Sequence, residues 1–195
     1  MRYLFEQPAL ESAAALAALK ADTFSETYGA ANDPAELAAH VARAFAVDAI
    51  SAELLDPGCE TTWVLDDGRP VGYVKVNYGT AQTVPGLRDG LEVEQVYVLA
   101  SHHGQGLGGQ LLDLAAEKAR ERGLTYLWLG VWEHNANAIS LYRHRGYEEF
   151  DQHVFMFGNE EQRDVLMRLD LGRTHGRRRG IARRRRHDVL VRRRT

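Results

Sequence analysis

The apolar positions along the chain change period several times, and each change predicts an element. Leu4-Phe5 reads as a short first strand. Leu10, Ala13, Ala14, Ala17 and Ala21 then recur at helical spacing and predict a helix over about Leu10–Tyr28. Asp33-Pro34 pairs an N-cap acid with proline at the first helical position, opening a helix through about Phe45. A third helix is expected over about Asp48–Leu55, ending at Pro57-Gly58. From there the pattern is that of strands. Thr61–Leu65, the turn Asp66-Asp67-Gly68 and Val71–Val76 predict an antiparallel hairpin. A loop with Pro85-Gly86 leads to Leu91–Val98, a β-rich run suited to a central strand.

Behind the loop His102–Gly109, a helix runs to Gly123 with Leu107, Leu111, Leu114, Ala115 and Ala119 on its apolar face. Tyr126–Val131 is the next strand. Asn135–Arg145 reads as a short helix stopped by Gly146. Phe150, Val154–Phe157 and Val165–Leu171 supply the last strands. There is no internal repeat. Antiparallel strands followed by one strand–loop–helix–strand crossover predict a mixed α/β sheet.

Composition narrows the class. With 45% hydrophobic and 26% charged residues in 195, the chain has globular composition and a length suited to one domain. No apolar run approaches the ~20 residues that span a bilayer, and Met1–Glu6 has no signal-peptide core. One cysteine, Cys59, rules out a disulfide framework and fits a reducing cytoplasm. The formal charge of −3 conceals a division: residues 1–172 carry a net −13 and residues 173–195 a net +10. A domain over 1–172 and an Arg-rich, disordered tail over 173–195 are expected. The acidic body attracts cations and repels nucleic acid, so a nucleic-acid partner is open only to the tail.

The loop Gly104-Gln105-Gly106-Leu107-Gly108-Gly109 lies between a strand and a helix, where glycines admit close approach of an anion and the helix start offers free N–H groups. A pyrophosphate fits. The string satisfies G-x-G-x-x-G, and Glu133 lies past the next strand, but the dinucleotide reading fails: helices and a hairpin precede the unit and no second nucleotide half follows. The eight histidines show no metal-ligand spacing, so no metal is expected. Cys59, read as part of a polar turn, has no partner for nucleophilic catalysis.

Val96-Tyr97-Val98, the glycine loop, Asn135-Ala136-Asn137-Ala138-Ile139-Ser140-Leu141-Tyr142 and Gly146-Tyr147 together resemble the GNAT N-acetyltransferase superfamily, over roughly residues 1–171. The family's loop pattern, Arg/Gln-x-x-Gly-x-Gly/Ala, falls on His103–Gly108, with His103 departing at the first position. Thr23–Tyr28, Gly72–Asn77, Leu91–Val98, Trp128–Glu133, Phe155–Gly158, Glu161-Gln162 and Asp164 are similar in particular to PaiA-like spermidine/spermine acetyltransferases. The resemblance implies the acyl-CoA N-acyltransferase fold, a mostly antiparallel sheet with one parallel crossover, flanked by helices. It also implies acetyl-CoA as co-substrate and a primary amine, favoured as a small polyamine, as acceptor. A peptide or protein amine is the alternative acceptor, and a regulatory, nucleic-acid-binding role through the tail is the alternative of another class. The assembly is open, a homodimer included.

By the same resemblance acetyl-CoA lies along Val96, Tyr97 and Val98, on Gly104, Gln105, Gly106, Leu107, Gly108 and Gly109, and against Asn135 and Tyr142. Tyr142 becomes the acid for the departing thiolate. In ribosomal-protein alanine acetyltransferases a Glu stands at the place of Gly130, so neither their mechanism nor their peptide substrate carries over. Glu92 and Glu94, two apart, share a face on a regular strand, and a bulge would turn one of them. Glu94 is the candidate for deprotonating the amine through water. Glu26, Glu92 and Glu133 are candidates for holding the acceptor's ammonium groups.

Overall fold

The computed structural model describes residues 3–157 and 160–172, so the basic segment 173–195 lies outside the described residues. The elements follow the pattern closely. Strand β1 is Leu4–Glu6. Helix α1, Ala13–Tyr28, is entered through a 3-10 turn at Leu10–Ser12, which leaves Leu10 exposed rather than in the apolar stripe. Helix α2, Pro34–Ala44, is capped by Asp33, whose Oδ1 accepts the N–H groups of Ala35 at 2.9 Å and Glu36 at 3.1 Å. Helix α3 is Val47–Leu55.

Strands β2, Cys59–Asp66, and β3, Arg69–Asn77, form the hairpin. Its turn needs positive φ at both central residues, and Asp67 (47°) and Gly68 (78°) supply them. Cys59 is therefore the first residue of a strand, not part of a turn, and burial pushes its thiol up to about 11. Strand β4 is Gly90–Val98, helix α4 Leu107–Glu121, strand β5 Tyr126–Trp132 and helix α5 Ala136–His144. Strands β6, Glu148–Phe157, and β7, Glu160–Asp170, close the chain. Phe150 sits at a bulge in β6, where the register jumps between Glu149 and Asp151.

The seven strands lie in the order β1-β2-β3-β4-β5-β7-β6, and every pairing is antiparallel except β4 with β5. One face buries Val74, Val76, Leu91, Leu127, Leu129 and Met167 against Leu107, Leu111, Ala115 and Ala119 of α4. On the other face Trp63, Leu65 and Tyr73 meet Leu16 and Leu19 of α1 and Ile50 of α3. Among the described residues no helix is long and apolar enough to cross a membrane.

A row of charges runs beneath the α1–α3 layer. Lys20, fully buried, meets Glu53 at 2.5 Å, Glu53 meets Lys75 at 3.1 Å, and Lys75 meets Glu94 at 2.7 Å. Burial lowers the pKa of Lys20 in spite of Glu53. Burial also opposes the charge of Lys75, but Glu94 and Glu53 outweigh it and raise its pKa. Glu53→Ala leaves two lysines without their shared partner, and we expect a loss on the order of 3 kcal/mol. Urea denaturation checks this; an unchanged midpoint would contradict it.

Candidate active site

The parallel pairing that makes the crossover is short. Gly90, Leu91 and Glu92 of β4 pair with Tyr126, Leu127 and Trp128 of β5, and the pairing stops there. The cause lies one residue further on. Lys75 pairs with Gln95 and Val76 with Val93, so Glu94 is an extra residue bulged out of the β3–β4 ladder. A bulge bends its strand. Past it β4 stays with β3 while β5 stays with β7, and the sheet opens into a cleft of about 750 Å³. Val96, Tyr97 and Val98 form one wall, and Gly130, Val131 and Trp132 the other.

At one end of the cleft is the start of α4. Gly104 (φ 76°) and Gly106 (φ 77°) take the left-handed backbone that wraps the chain into the helix. The first intrahelical bond runs from Gln110 N–H to the Gly106 carbonyl at 3.1 Å. The N–H groups of Leu107, Gly108 and Gly109 are thus left for an anion at the positive end of the helix. A Cβ built on Gly108 meets nothing within 4 Å, while one on Gly109 comes within 2.8 Å of an Arg145 guanidinium nitrogen. His103 ties the loop to β4 through its Nε2 and the Val98 carbonyl, 2.8 Å apart.

Tyr142 also lines the cleft, 7% exposed and packed on Tyr147 at 5.6 Å between ring centroids. Burial raises its pKa, with Tyr28 adding to the effect, so the phenol keeps its proton across the physiological range. The hydroxyls of Tyr28 and Tyr97 lie 3.2 Å apart. Tyr28 and Trp132 also wall a second hollow of about 140 Å³, continuous in its lining with the cleft. Phe24 and His40, stacked at 4.8 Å, complete its aromatic side. Asn32, Gln162 and Asp164 are its other lining groups. Burial pushes the Asp164 carboxyl up to about 6, against the pull of His153.

The strand pair thus splays at a bulge, with the glycine-rich helix start lining the cleft and an aromatic, acid-bearing hollow beside it. Comparison with known proteins identifies the class. The model of the acetyltransferase (GNAT) family matches residues 15–147. The chain belongs to the GNAT family of acetyltransferases. An uncharacterised N-acetyltransferase of Lactobacillus delbrueckii subsp. lactis is 38% identical over 154 residues, 79% of this chain and 89% of that protein. The thialysine N-epsilon-acetyltransferase of Sus scrofa is 29% identical over 104 residues, 50% of this chain and 61% of that protein. Among solved structures, the PaiA N-acetyltransferase of Thermoplasma acidophilum in complex with coenzyme A superposes with a TM-score of 0.73. It covers 87% of this chain and 99% of its own at 14% identity, which speaks to the fold.

Within this GNAT site the residues expected on the cofactor are gathered in one place. All of them line the cleft except Gln105, whose Oε1 instead accepts a hydrogen bond from the Tyr3 hydroxyl. Asn135 is at once a lining residue and the N-cap of α5, its Oδ1 accepting Ala138 N–H at 3.1 Å. Glu94 reaches the cleft, and its Oε2 is held by Lys75 at 2.7 Å and by Asn77 Nδ2 at 2.6 Å.

The acids expected around the acceptor are scattered, and none lines either hollow. Glu92 is 2% exposed and ties down the loop after β3, accepting the Thr83 N–H at 2.8 Å, the Thr83 hydroxyl, and Asn77 Nδ2 at 3.0 Å. Its role is internal, which corrects the expectation of a substrate contact. Glu26 accepts Ala100 N–H at 2.8 Å, and Glu133 is exposed beyond the end of β5. The acid that does face the hollow, Asp164, was legible only as part of the likeness to PaiA-like enzymes; nothing in its neighbourhood marks it as a site residue.

Proposed function

We propose that the protein transfers the acetyl group of acetyl-CoA directly to a primary amine of a small polyamine of the spermidine type. The pyrophosphate rests on the N–H groups of Leu107, Gly108 and Gly109, where helix dipole and free donors coincide. The pantetheine arm adds to the open edge of β4 along Val96–Val98 as an extended strand would. Tyr142 gives its proton to the sulfur as the thiolate departs. Glu94 lines the cleft with its Oε2 held by Lys75 and Asn77.

The single observation that carries the acceptor assignment is the hollow beside the cleft, with four aromatic side chains (Phe24, Tyr28, His40 and Trp132) and one carboxylate, two of the four, Tyr28 and Trp132, being shared with the cleft. Aromatic faces attract cations through their quadrupole, and the carboxylate adds charge. The net −13 over residues 1–172 supplies a field that draws a polycation in. The aliphatic amine in the name of the thialysine acetyltransferase relative is of the same chemical kind.

Because that capture is electrostatic, KM for spermidine should rise several-fold between low and 0.5 M salt, where screening shortens to a few ångströms, while kcat changes little. Steady-state kinetics on a salt series reads this. Salt-independent KM together with equal use of neutral and acidic amines would replace the polyamine with a broader acceptor class.

A further inference from the structure

Gly130 is the one position of β5 in the cleft wall without a side chain, and the space that a side chain there would take is filled from the neighbouring strand. A Cβ on Gly130 would come within 3.2 Å of Asp164 Oδ2. Asp164 pairs across the sheet with Trp132 on one side and His153 on the other. It lines the smaller hollow, and its Oδ2 stands beside Gly130, a wall residue of the larger. We propose that Asp164 is the catalytic base of this enzyme, the group that takes the proton from the acceptor's ammonium before attack. The assignment rests on the amine-acetylation reading above.

An ammonium N–H proton passes to an Asp164 carboxylate oxygen, and the freed nitrogen lone pair forms the C–N bond to the acetyl carbonyl carbon. The C–S bond breaks, the sulfur takes the Tyr142 proton, and the nitrogen's second proton restores the phenol. Asp164 returns its own proton to solvent. A base for this step must be ionised at working pH yet basic enough to compete with an amine of pKa near ~10. Glu94 is already engaged by Lys75 and Asn77 through one oxygen. Asp164 has no such lysine, and burial has brought it to about 6. The groups facing it are His153 from β6, Tyr28 from α1 and His40 from α2; Gln162 accompanies it from β7.

The test is Asp164→Asn with the full-length protein, acetyl-CoA and spermidine. Wild-type kcat/KM should fall tenfold per pH unit below about 6, and that limb should vanish in D164N, with the pH-8 rate reduced roughly 10²- to 10³-fold. An acceptor whose amine has a pKa near ~7 arrives neutral at pH 8, so with it the D164N defect should shrink at least about tenfold. A D164N enzyme that keeps its acid limb, or loses only KM, would overturn the assignment and make Asp164 a binding group. A wild type that acetylates no amine at all overturns the reading beneath it, a failure seen without the variant.

Stability gives a second readout. The folded carboxyl binds its proton more tightly than the unfolded one, so Asp164 lowers stability as pH rises from about 4 to about 6 and holds that penalty above. D164N should unfold at a higher temperature than wild type at pH 8 and converge with it near pH 4. Identical melting differences at both pH values would contradict a buried Asp164 carboxyl that holds its proton more tightly in the folded state. Should D164N fail to fold, Gly130→Ala carries the test: its methyl displaces Oδ2 and should slow kcat at least about tenfold while leaving the acid limb in place. A Gly130→Ala enzyme with wild-type kcat would overturn the geometry.

Discussion

Tyr142→Phe is expected to slow acetyl transfer roughly 10²- to 10⁴-fold while acetyl-CoA binds as before. The hydroxyl is needed only when the C–S bond breaks, so its loss falls on the transition state and not on the ground-state complex. The ring itself is part of the core, packed on Tyr147, and phenylalanine preserves that packing. The phenol's raised pKa has the sign the role needs, because a tyrosine that gave up its proton to bulk solvent at neutral pH would have none for the sulfur. Single-turnover rates are the proper readout, since product release masks part of the effect in steady state. A wild-type single-turnover rate would make Tyr142 a packing residue only.

Gly108→Asp is expected to weaken coenzyme A binding by at least roughly 10³-fold and to leave the chain folded. Two or more charge-assisted N–H bonds at about 1.5–3 kcal/mol each are forfeited when a carboxylate enters the pyrophosphate's place, and its charge repels the phosphates besides. Position 108 separates binding from folding because its Cβ direction is open, nothing lying within 4 Å. Gly106 is a poorer probe: at φ 77° any side chain strains the turn. Calorimetry of coenzyme A on the folded variant decides the matter, and unchanged affinity would remove the anion from the start of α4.

The sequence carried most of this architecture because its signals are local. Asp33-Pro34, Asp67-Gly68 and the glycines at 104 and 106 each act within a few residues, and each sits where its conformational preference places it. The cofactor cleft was legible for a related reason: its β4 wall, glycine loop and start of α4 are contiguous in the chain, and β5 with Asn135 and Tyr142 follows directly after α4. The acceptor side was not. It is assembled from α1, α2, β5 and β7, and no spacing rule links Phe24, His40, Trp132 and Asp164.

The misplacements have the same origin. Glu92 and Glu94 differ by two in sequence, yet a bulge that only the β3–β4 register displays leaves one in the ladder and the other out of it. Glu92's partner Thr83 lies in a loop whose path the sequence does not state. Gln105 sits inside the glycine motif but is claimed by Tyr3, 102 residues earlier. Cys59 follows Pro57-Gly58 and looks like turn, but pairing with Asn77 makes it strand.

In the proposed reaction, acetyl-CoA in the splayed sheet delivers its acetyl group to a small cationic amine held beside Asp164. The measurement that tests it most directly is a competition: the full-length protein, acetyl-CoA, and an equimolar mixture of spermidine, amino acids and short peptides, with products identified by mass spectrometry. The account predicts N-acetylspermidine as the dominant early product, with free coenzyme A released in equal amount. Acetylated peptide in its place, with spermidine untouched, would contradict it.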